Sequence, residues 1–146
     1  MNPTDIYATQ LEWARKNINN NLDFFPDDKL NWKPAPTSKS VLEIVGHMTG
    51  TINMMTSALN GKEPGTLPKA TTSEEAKALV SQVVDAHLAK LKALTPQELD
   101  SKITLPIGEF PGVVAAGLPV VEIINHHGQI TYIETLLGDT ESHLMF

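Results

Sequence analysis

Four stretches of this sequence carry apolar residues at the three- and four-residue spacing of an amphipathic helix, and prolines and glycines separate them. Each stretch has one apolar stripe, and such a stripe is stable only when it packs against another element. The pattern therefore predicts an all-α protein, a four-helix bundle. The segments between the helices are long for a bundle, so we expect long crossover loops.

The second and third helices begin at recognisable capping motifs. Ser40 and Glu43 match a capping box, and Thr72 and Glu75 match a second one. After the third helix, residues 100–118 form a long connection rich in proline and glycine, with a short strand-like or helical piece. Because a long loop inside a small domain is usually functional, we expect this connection to line a site.

Prolines mark the limits of the first and fourth helices. The first helix should begin at Pro3, fade across residues 17–21 and end before Pro26. The fourth should begin at about Pro119, at the one helical position where proline fits well, and run to Leu137.

The composition excludes several classes of protein. The net charge is -6 and the Lys and Arg residues are scattered, which argues against nucleic-acid binding. The absence of cysteine excludes disulfides, thiolate metal ligands and a cysteine nucleophile. The sequence shows neither a signal-peptide pattern nor an apolar run of about 18 residues, so we expect a cytoplasmic protein that does not enter the membrane.

The length indicates a single domain. A chain of 146 residues is the size of one ordinary domain, and we expect residues 1–146 to form it without a linker or repeat. The apolar helices, together with Met54 and Met55 at the end of the second, leave room for a homodimer.

A metal site in this chain would be built from histidine and carboxylate side chains. Glu122 and His126 are four residues apart in the fourth helix, so they project from one face and can hold one ion. Glu122 lies in the most apolar stretch of the chain, where a carboxylate is costly unless it is paired, hydrogen-bonded or metal-bound. The alternative is that it points to solvent from a half-buried helix.

The other histidines have less specific interpretations. His47 is in the middle of an apolar helix, where a lone histidine is more often a hydrogen-bonded core residue. His127 lies roughly 100° around the helix from His126, so the two cannot easily bind one ion. It would be a rim residue, a donor to a ligand or an interhelical contact. We expect His87 to border the core and His143 to be solvated.

Three segments resemble, in their order and spacing, motifs of one known family. The first is LNWKPAP at residues 30–36 with SVLEIVGH at residues 40–47, the second is TLPIG at residues 104–108, and the third is HHGQI at residues 126–130. The family is the DinB/YfiT-like superfamily of small metal-binding bundles, and the resemblance covers most of the chain.

The resemblance implies a ligand set. The family pattern is a histidine on the second helix and a His-x-x-x-His pair on the last. His47 and His126 match two of these ligands, whereas Glu122 replaces the third and His127 stands where an arginine is common. A register shifted by one residue would pair His127 with Ile123, which is chemically worse.

Two imidazoles and one carboxylate would bind a divalent metal ion, with zinc or nickel favoured and iron or manganese also compatible. Three residues stand where they could orient these ligands, namely Glu43, His127 and Gln129.

The resemblance also implies a function. We expect a metal-dependent enzyme that acts on a small-molecule substrate, by thiol transfer with a low-molecular-weight thiol or by hydrolase-like chemistry. The alternative is a non-catalytic metal-binding or stress-related bundle, and a third possibility is a bundle without metal. The catalytic residues are unknown from the sequence, and His47, Glu122 and His126 are predicted only as metal ligands.

Overall fold

The computed structural model describes residues 2–146, which form five α-helices, one turn of 3-10 helix at Asp27–Lys29 and one β-hairpin. The elements are, in chain order, α1 Pro3–Phe24, α2 Val41–Leu59, α3 Ser73–Ala93, α4 Pro96–Asp100, β1 Lys102–Leu105, β2 Gly108–Pro111 and α5 Gly112–Leu136. The four long helices form the bundle that the sequence predicts, so the all-α class is confirmed.

The bundle has a diagonal arrangement. α1 packs against α3 and α5, and α2 packs against the same two helices. The consecutive helices α1 and α2 therefore stand across the bundle from each other, which explains the long connection between them. One continuous core joins all four, and its fully buried members include Leu11, Ile18, Met48, Ile52, Val80 and Ile123.

Two of the predicted helix starts match the structure closely. Asn2 accepts a hydrogen bond from the Thr4 N–H, and Ser40 and Glu43 form a reciprocal capping box. The second predicted capping box is only half present. Thr72 accepts from the Glu75 N–H, but the Glu75 carboxylate accepts hydrogen bonds from Thr71 instead of turning back to Thr72.

The start of the last helix was predicted seven residues too late. α5 begins at Gly112, and Pro119 lies inside it. Gly112 donates its N–H to the Ser101 carbonyl, and a Cβ at this position would lie 2.0 Å from the Glu98 carbonyl oxygen. Only glycine allows this close approach of two backbones, so tertiary contact, rather than the proline, determines where the helix begins.

The predicted fading of the first helix was also wrong. α1 continues without interruption to Phe24, and the asparagines within it are used for tertiary contacts. Asn17 bonds to the backbone of Met145, and Asn21 bonds to side chains of α5. Asparagine usually favours turns because its side chain bonds to nearby backbone groups. Here the side-chain amides bond to partners outside the helix, so they do not interrupt it.

The connection before α5 contains an antiparallel β-hairpin. Lys102 pairs with Pro111 and Leu105 with Gly108, so two residues form the turn. Leu105 is buried and packs with the end of α2 and with α5. The hairpin therefore covers one end of the bundle. None of the helices within residues 2–146 is long and apolar enough to cross a membrane.

Candidate metal centre

The three predicted metal ligands come together at the contact between α2 and α5. His47 is in the middle of α2, and Glu122 and His126 are one turn apart in α5. Their ligand atoms, one from each residue, all lie within 4.8 Å of one another. This is the one such group of histidine and acidic side chains among residues 2–146. The i, i+4 spacing creates the pair on α5, and the packing of α2 adds the third residue.

The distances between these atoms are close to what a small divalent ion requires. Glu122 Oε1 lies 2.9 Å from His126 Nε2 and 3.9 Å from His47 Nε2. The two imidazole rings meet edge to face, with their centroids 5.1 Å apart. Ligand atoms around a tetrahedral zinc ion are about 3.3–3.6 Å apart, because each lies about 2.0–2.2 Å from the metal. Shifts of less than about 1 Å would complete such a geometry.

Gln129 sets the orientation of the His126 ring. Its Oε1 lies 3.0 Å from His126 Nδ1, on the opposite side of the ring from Glu122. When Nδ1–H donates to this oxygen, the lone pair of a neutral ring is on Nε2. That lone pair then faces a carboxylate oxygen at 2.9 Å, and the two repel unless a proton or a metal ion lies between them. The donor set therefore fits a metal ion.

Burial decreases across the centre. The side chain of His126 is 7% exposed, that of Glu122 17% and that of His47 51%. Within residues 2–146 no lysine or arginine pairs with Glu122, so the two histidines are its charged or polar partners. A mostly buried carboxylate without a basic partner favours a bound cation. The exposed His47 side leaves room for a further ligand.

The Glu43 carboxylate makes its hydrogen bonds to Lys33 and Ser40 and none to a histidine. One carboxylate oxygen accepts the Ser40 N–H and the other is 2.7 Å from the Lys33 Nζ. The hydrogen bond from Lys33, followed by that from Ser40, lowers the pKa of Glu43. The side chain therefore belongs to the cap of α2 and connects it to the preceding loop.

His127 faces α1 instead of the metal ligands. Its Nε2 lies 2.7 Å from Asn21 Oδ1, and Asn21 in turn donates to Glu134 Oε2 at 2.6 Å. Burial lowers the pKa of His127 and raises that of Glu134. Of the three interpretations given by the sequence, the interhelical contact describes this position. Neither Asn21 nor Glu134 is predicted from the sequence, although the acidic residue in the apolar run YIETLL is a signal that could point to Glu134.

The remaining histidines have structural partners. His87 is completely buried instead of bordering the core, with Nδ1 2.9 Å from the Thr56 hydroxyl and Nε2 3.0 Å from the Ala116 carbonyl. His143 was predicted to be solvated, but its side chain is only 11% exposed. It stacks on Phe24 and bonds to Asp139.

The sequence model of the DinB superfamily matches residues 10–130 of this chain. That range includes His47, Glu122 and His126. No curated protein sequence is significantly similar to the chain.

Several solved structures share the fold. A DinB-like protein from Bacillus subtilis, YjoA, has a TM-score of 0.75 and 22% identity, with 96% of this chain and 95% of that chain covered. A DinB-like protein from Bacillus cereus has a TM-score of 0.75 and 18% identity, with coverages of 90% and 91%. YfiT from Bacillus subtilis has a TM-score of 0.73 and 18% identity, with coverages of 92% and 87%; it is described as a probable metal-dependent hydrolase with an unusual four-helix bundle topology.

Proposed function

The chain belongs to the DinB superfamily, and from this membership and the site geometry we propose that it is a metal-dependent enzyme acting on a small molecule. His47, Glu122 and His126 would hold one divalent ion. The observation that carries the proposal is the convergence of three ligand atoms within 4.8 Å, from two helices, around a carboxylate that has no basic partner.

The ligand set is compatible with several metals. Two imidazoles and a carboxylate suit zinc or nickel, and also iron or manganese. The low-dielectric setting of Glu122 and His126 strengthens their attraction to a cation. When bound, the ion would lower the pKa of a water or thiol beside it and so supply a nucleophile near neutral pH.

The residues of the chain have separate tasks in this proposal. Glu122 supplies the negative charge that compensates part of the charge of the cation. Gln129 holds His126 with Nε2 directed at Glu122. His47 is half-exposed, so a substrate can approach from its side. Three protein ligands with an accessible fourth position are typical of a reactive site rather than a structural one.

The proposed reaction is attack of the activated oxygen or sulfur on an electrophilic carbon of a small molecule. The new bond forms as the bond from that carbon to its leaving group breaks, and the leaving group departs as an anion or takes up a proton from solvent. With water as the nucleophile the protein is a hydrolase, and the description of its relative YfiT as a probable metal-dependent hydrolase supports this form. With a low-molecular-weight thiol as the nucleophile it is an S-transferase. The two forms require the same ligands and differ in one measurable property, the dependence of turnover on added thiol.

The first experiment measures metal content. Protein without an affinity tag is reconstituted with Zn²⁺, Ni²⁺, Fe²⁺ or Mn²⁺, and bound metal is quantified by elemental analysis. We expect close to one equivalent in the wild type, a loss in Glu122→Gln, and retention in Glu122→His. Glu63→Gln, which removes an exposed carboxylate from the loop after α2, is the matched control and should retain the metal. Less than a tenth of an equivalent in the wild type contradicts the proposal.

The second experiment measures turnover. The metal-loaded wild type and Glu122→Gln are incubated with activated esters and amides, and with epoxide or halogenated electrophiles in the presence of several thiols. Metal-dependent product that is lost in Glu122→Gln supports an enzyme. One equivalent of metal without turnover across both panels would support the non-catalytic metal-binding bundle instead.

A further inference from the structure

The outer face of α5 carries no charged side chain, although the protein has a net charge of -6. The helix has 25 residues and contains no lysine, arginine or aspartate. Its two glutamates do not lie on the outer face, because Glu122 is directed at the histidine of α2 and Glu134 is buried. A surface helix normally presents charged side chains to water, so this face is suited to contact with another apolar surface.

Exposed apolar side chains follow one another along this face. Val114, Val121 and Tyr132 are 41%, 64% and 63% exposed. Leu136 is also exposed at the end of the helix, and the partly buried Leu118 falls between the two valines. Steps of three, four and eleven residues return to the same side of an α-helix, so these five side chains form one stripe along the length of α5.

The outer face of α3 is different. This helix lies across the bundle from α5, and it exposes charged side chains from its first turn to its last. They include Glu74, Glu75, Asp85 and Lys92. The absence of charge is therefore a property of the α5 side and not of the whole surface.

The stripe is arranged symmetrically about Asn125, which is exposed. Val114 and Leu136 lie eleven residues before and after it, and the next pair inward lies seven residues before and after it, Leu118 and Tyr132. When two copies of α5 pack antiparallel about this point, the members of each pair meet across the contact. Apolar groups then face apolar groups, and the two Asn125 amides meet at the centre, where each can donate to and accept from the other.

Charge also favours a second copy over other partners. Because each copy has a net charge of -6, two copies repel over most of their surface and approach most easily through a face without charge. The same face offers no lysine or arginine to a lipid headgroup or a nucleic acid. An antiparallel pair also places opposite ends of the two helix dipoles together.

The length of α5 determines the size of such a contact. A helix of this length spans about 37 Å and is about 10–12 Å wide with its side chains, so on the order of 500 Å² would be covered on each copy. This area is at the lower end for specific protein interfaces. We therefore expect a reversible dimer with a dissociation constant on the order of 10 μM.

We propose that the outer face of α5 binds the same face of a second copy of this chain, with the two helices antiparallel and a two-fold axis at Asn125. The metal centre stays accessible in this dimer, because Glu122 and His126 contact each other on the α2 side of the helix, whereas Val121 faces outward. The contact does not depend on the proposed metal chemistry.

Sedimentation velocity measures the association of the protein as purified, at concentrations from about 1 to 200 μM. With rising concentration we expect the mass to increase from 15.9 kDa toward the dimer, equally with and without a chelator. Val121→Asp puts like charges near the axis and should weaken association by about tenfold or more. Ala86→Asp adds the same charge at an exposed position of α3 and should associate as the wild type does.

Three results of this experiment would overturn the proposal. They are a wild type that stays monomeric at the highest concentration, equal weakening in the two variants, and association that the chelator abolishes, which would indicate pairing through a metal ion. Protein that remains monomeric but floats with vesicles of uncharged phosphatidylcholine would assign the face to a lipid surface instead. Circular dichroism verifies that both variants fold.

Single cysteines test the register, because the chain has none of its own. Asn125→Cys brings the two thiols together at the axis and should give a disulfide-linked dimer on mild oxidation. Val114→Cys is the matched control on the same stripe. It should stay unlinked, since the two copies of this residue would be about 33 Å apart. Linkage of both variants, of Val114→Cys alone or of neither would overturn the proposal.

Discussion

His126 and Gln129 are joined across one turn of α5, with Nδ1 of the imidazole 3.0 Å from Oε1 of the amide. The contact lies on the far side of the ring from Glu122, so it selects the nitrogen that faces the carboxylate. Hydrogen bonds of this kind fix the tautomer and the orientation of a metal-binding histidine. Gln129 is not itself one of the proposed ligands, but through this contact it should affect how tightly the proposed centre binds a metal ion.

Gln129→Ala should therefore weaken metal binding while leaving the fold intact. Gln129 is exposed at the surface of α5 and alanine is a good helix former, so the free energy of unfolding should change little. The affinity for Zn²⁺ should fall by about 10–100-fold, which is typical when a residue that orients a ligand is lost. Competition titration with a chelating dye measures this change. An unchanged affinity would show that Gln129 does not orient His126.

Changes at the Ser40–Glu43 cap should lower the free energy of unfolding and leave metal affinity unchanged, which is the reverse of the result expected for Gln129→Ala. Ser40→Ala removes a capping side chain and should lower the free energy of unfolding by about 1 kcal/mol. Glu43→Gln should lower stability slightly, because it weakens the hydrogen bonds to Lys33 and Ser40. Neither change should alter Zn²⁺ affinity, since the Glu43 carboxylate is engaged in the cap. Urea unfolding and the same dye competition separate the two effects, and a metal defect in Glu43→Gln would argue against this assignment.

Gly112→Ala should be strongly destabilising. The new Cβ would lie 2.0 Å from the Glu98 carbonyl oxygen, so α4 and α5 could not keep their present contact. We expect the free energy of unfolding to fall by about 3 kcal/mol or more, as it does for other substitutions that force the backbone to move. Gly50→Ala is the matched control in α2, where the added Cβ meets nothing within 4 Å, and should stabilise by up to about 1 kcal/mol. Thermal unfolding of the two variants tests the difference, and similar melting temperatures would be inconsistent with it.

The stability should decrease as the pH falls below about 6.5, partly because of His87. Burial lowers the pKa of this side chain in the folded protein, whereas the hydrogen bond to Ala116 opposes the shift to a smaller extent. Below the unfolded-state pKa of about 6.5 the unfolded chain takes up a proton that the folded chain does not. The contribution of neutral His87 to the free energy of unfolding is thus fully present above about pH 6.5. It is lost as the pH falls toward the lowered pKa that His87 has in the folded protein.

The expected slope is at most about 1.4 kcal/mol per pH unit for one histidine. The slope is measured by urea unfolding of chelator-treated protein between about pH 7.5 and 5.5, a range that spans the unfolded-state pKa of histidine. His87→Leu should be less stable at the upper end and should have a flatter profile. Gly50→Ala, which changes no titratable group, is the control and should keep the wild-type slope. A wild-type slope in His87→Leu would exclude His87 as the cause.

The sequence was sufficient for the features that depend on local periodicity. The spacing of apolar residues predicted the four long helices, and the Ser40–Glu43 box placed the start of α2. The spacing of four between Glu122 and His126 put them on one face, and the family resemblance added His47. The structure brings these three residues together. The single domain, the homodimer, the small-molecule partner and the cytoplasmic location stay predictions.

Tertiary structure decided everything that depends on a neighbouring element. A helical pattern states which residues share a face, but it does not state which helix that face meets. His127 could therefore be placed beside Asn21 only when α1 was packed against α5. Lys33 and Ser40 engage Glu43, so the side chain is no longer available to the histidines. The start of α5 at Gly112 depends on a contact with Glu98, and no local signal encodes a contact across a hairpin.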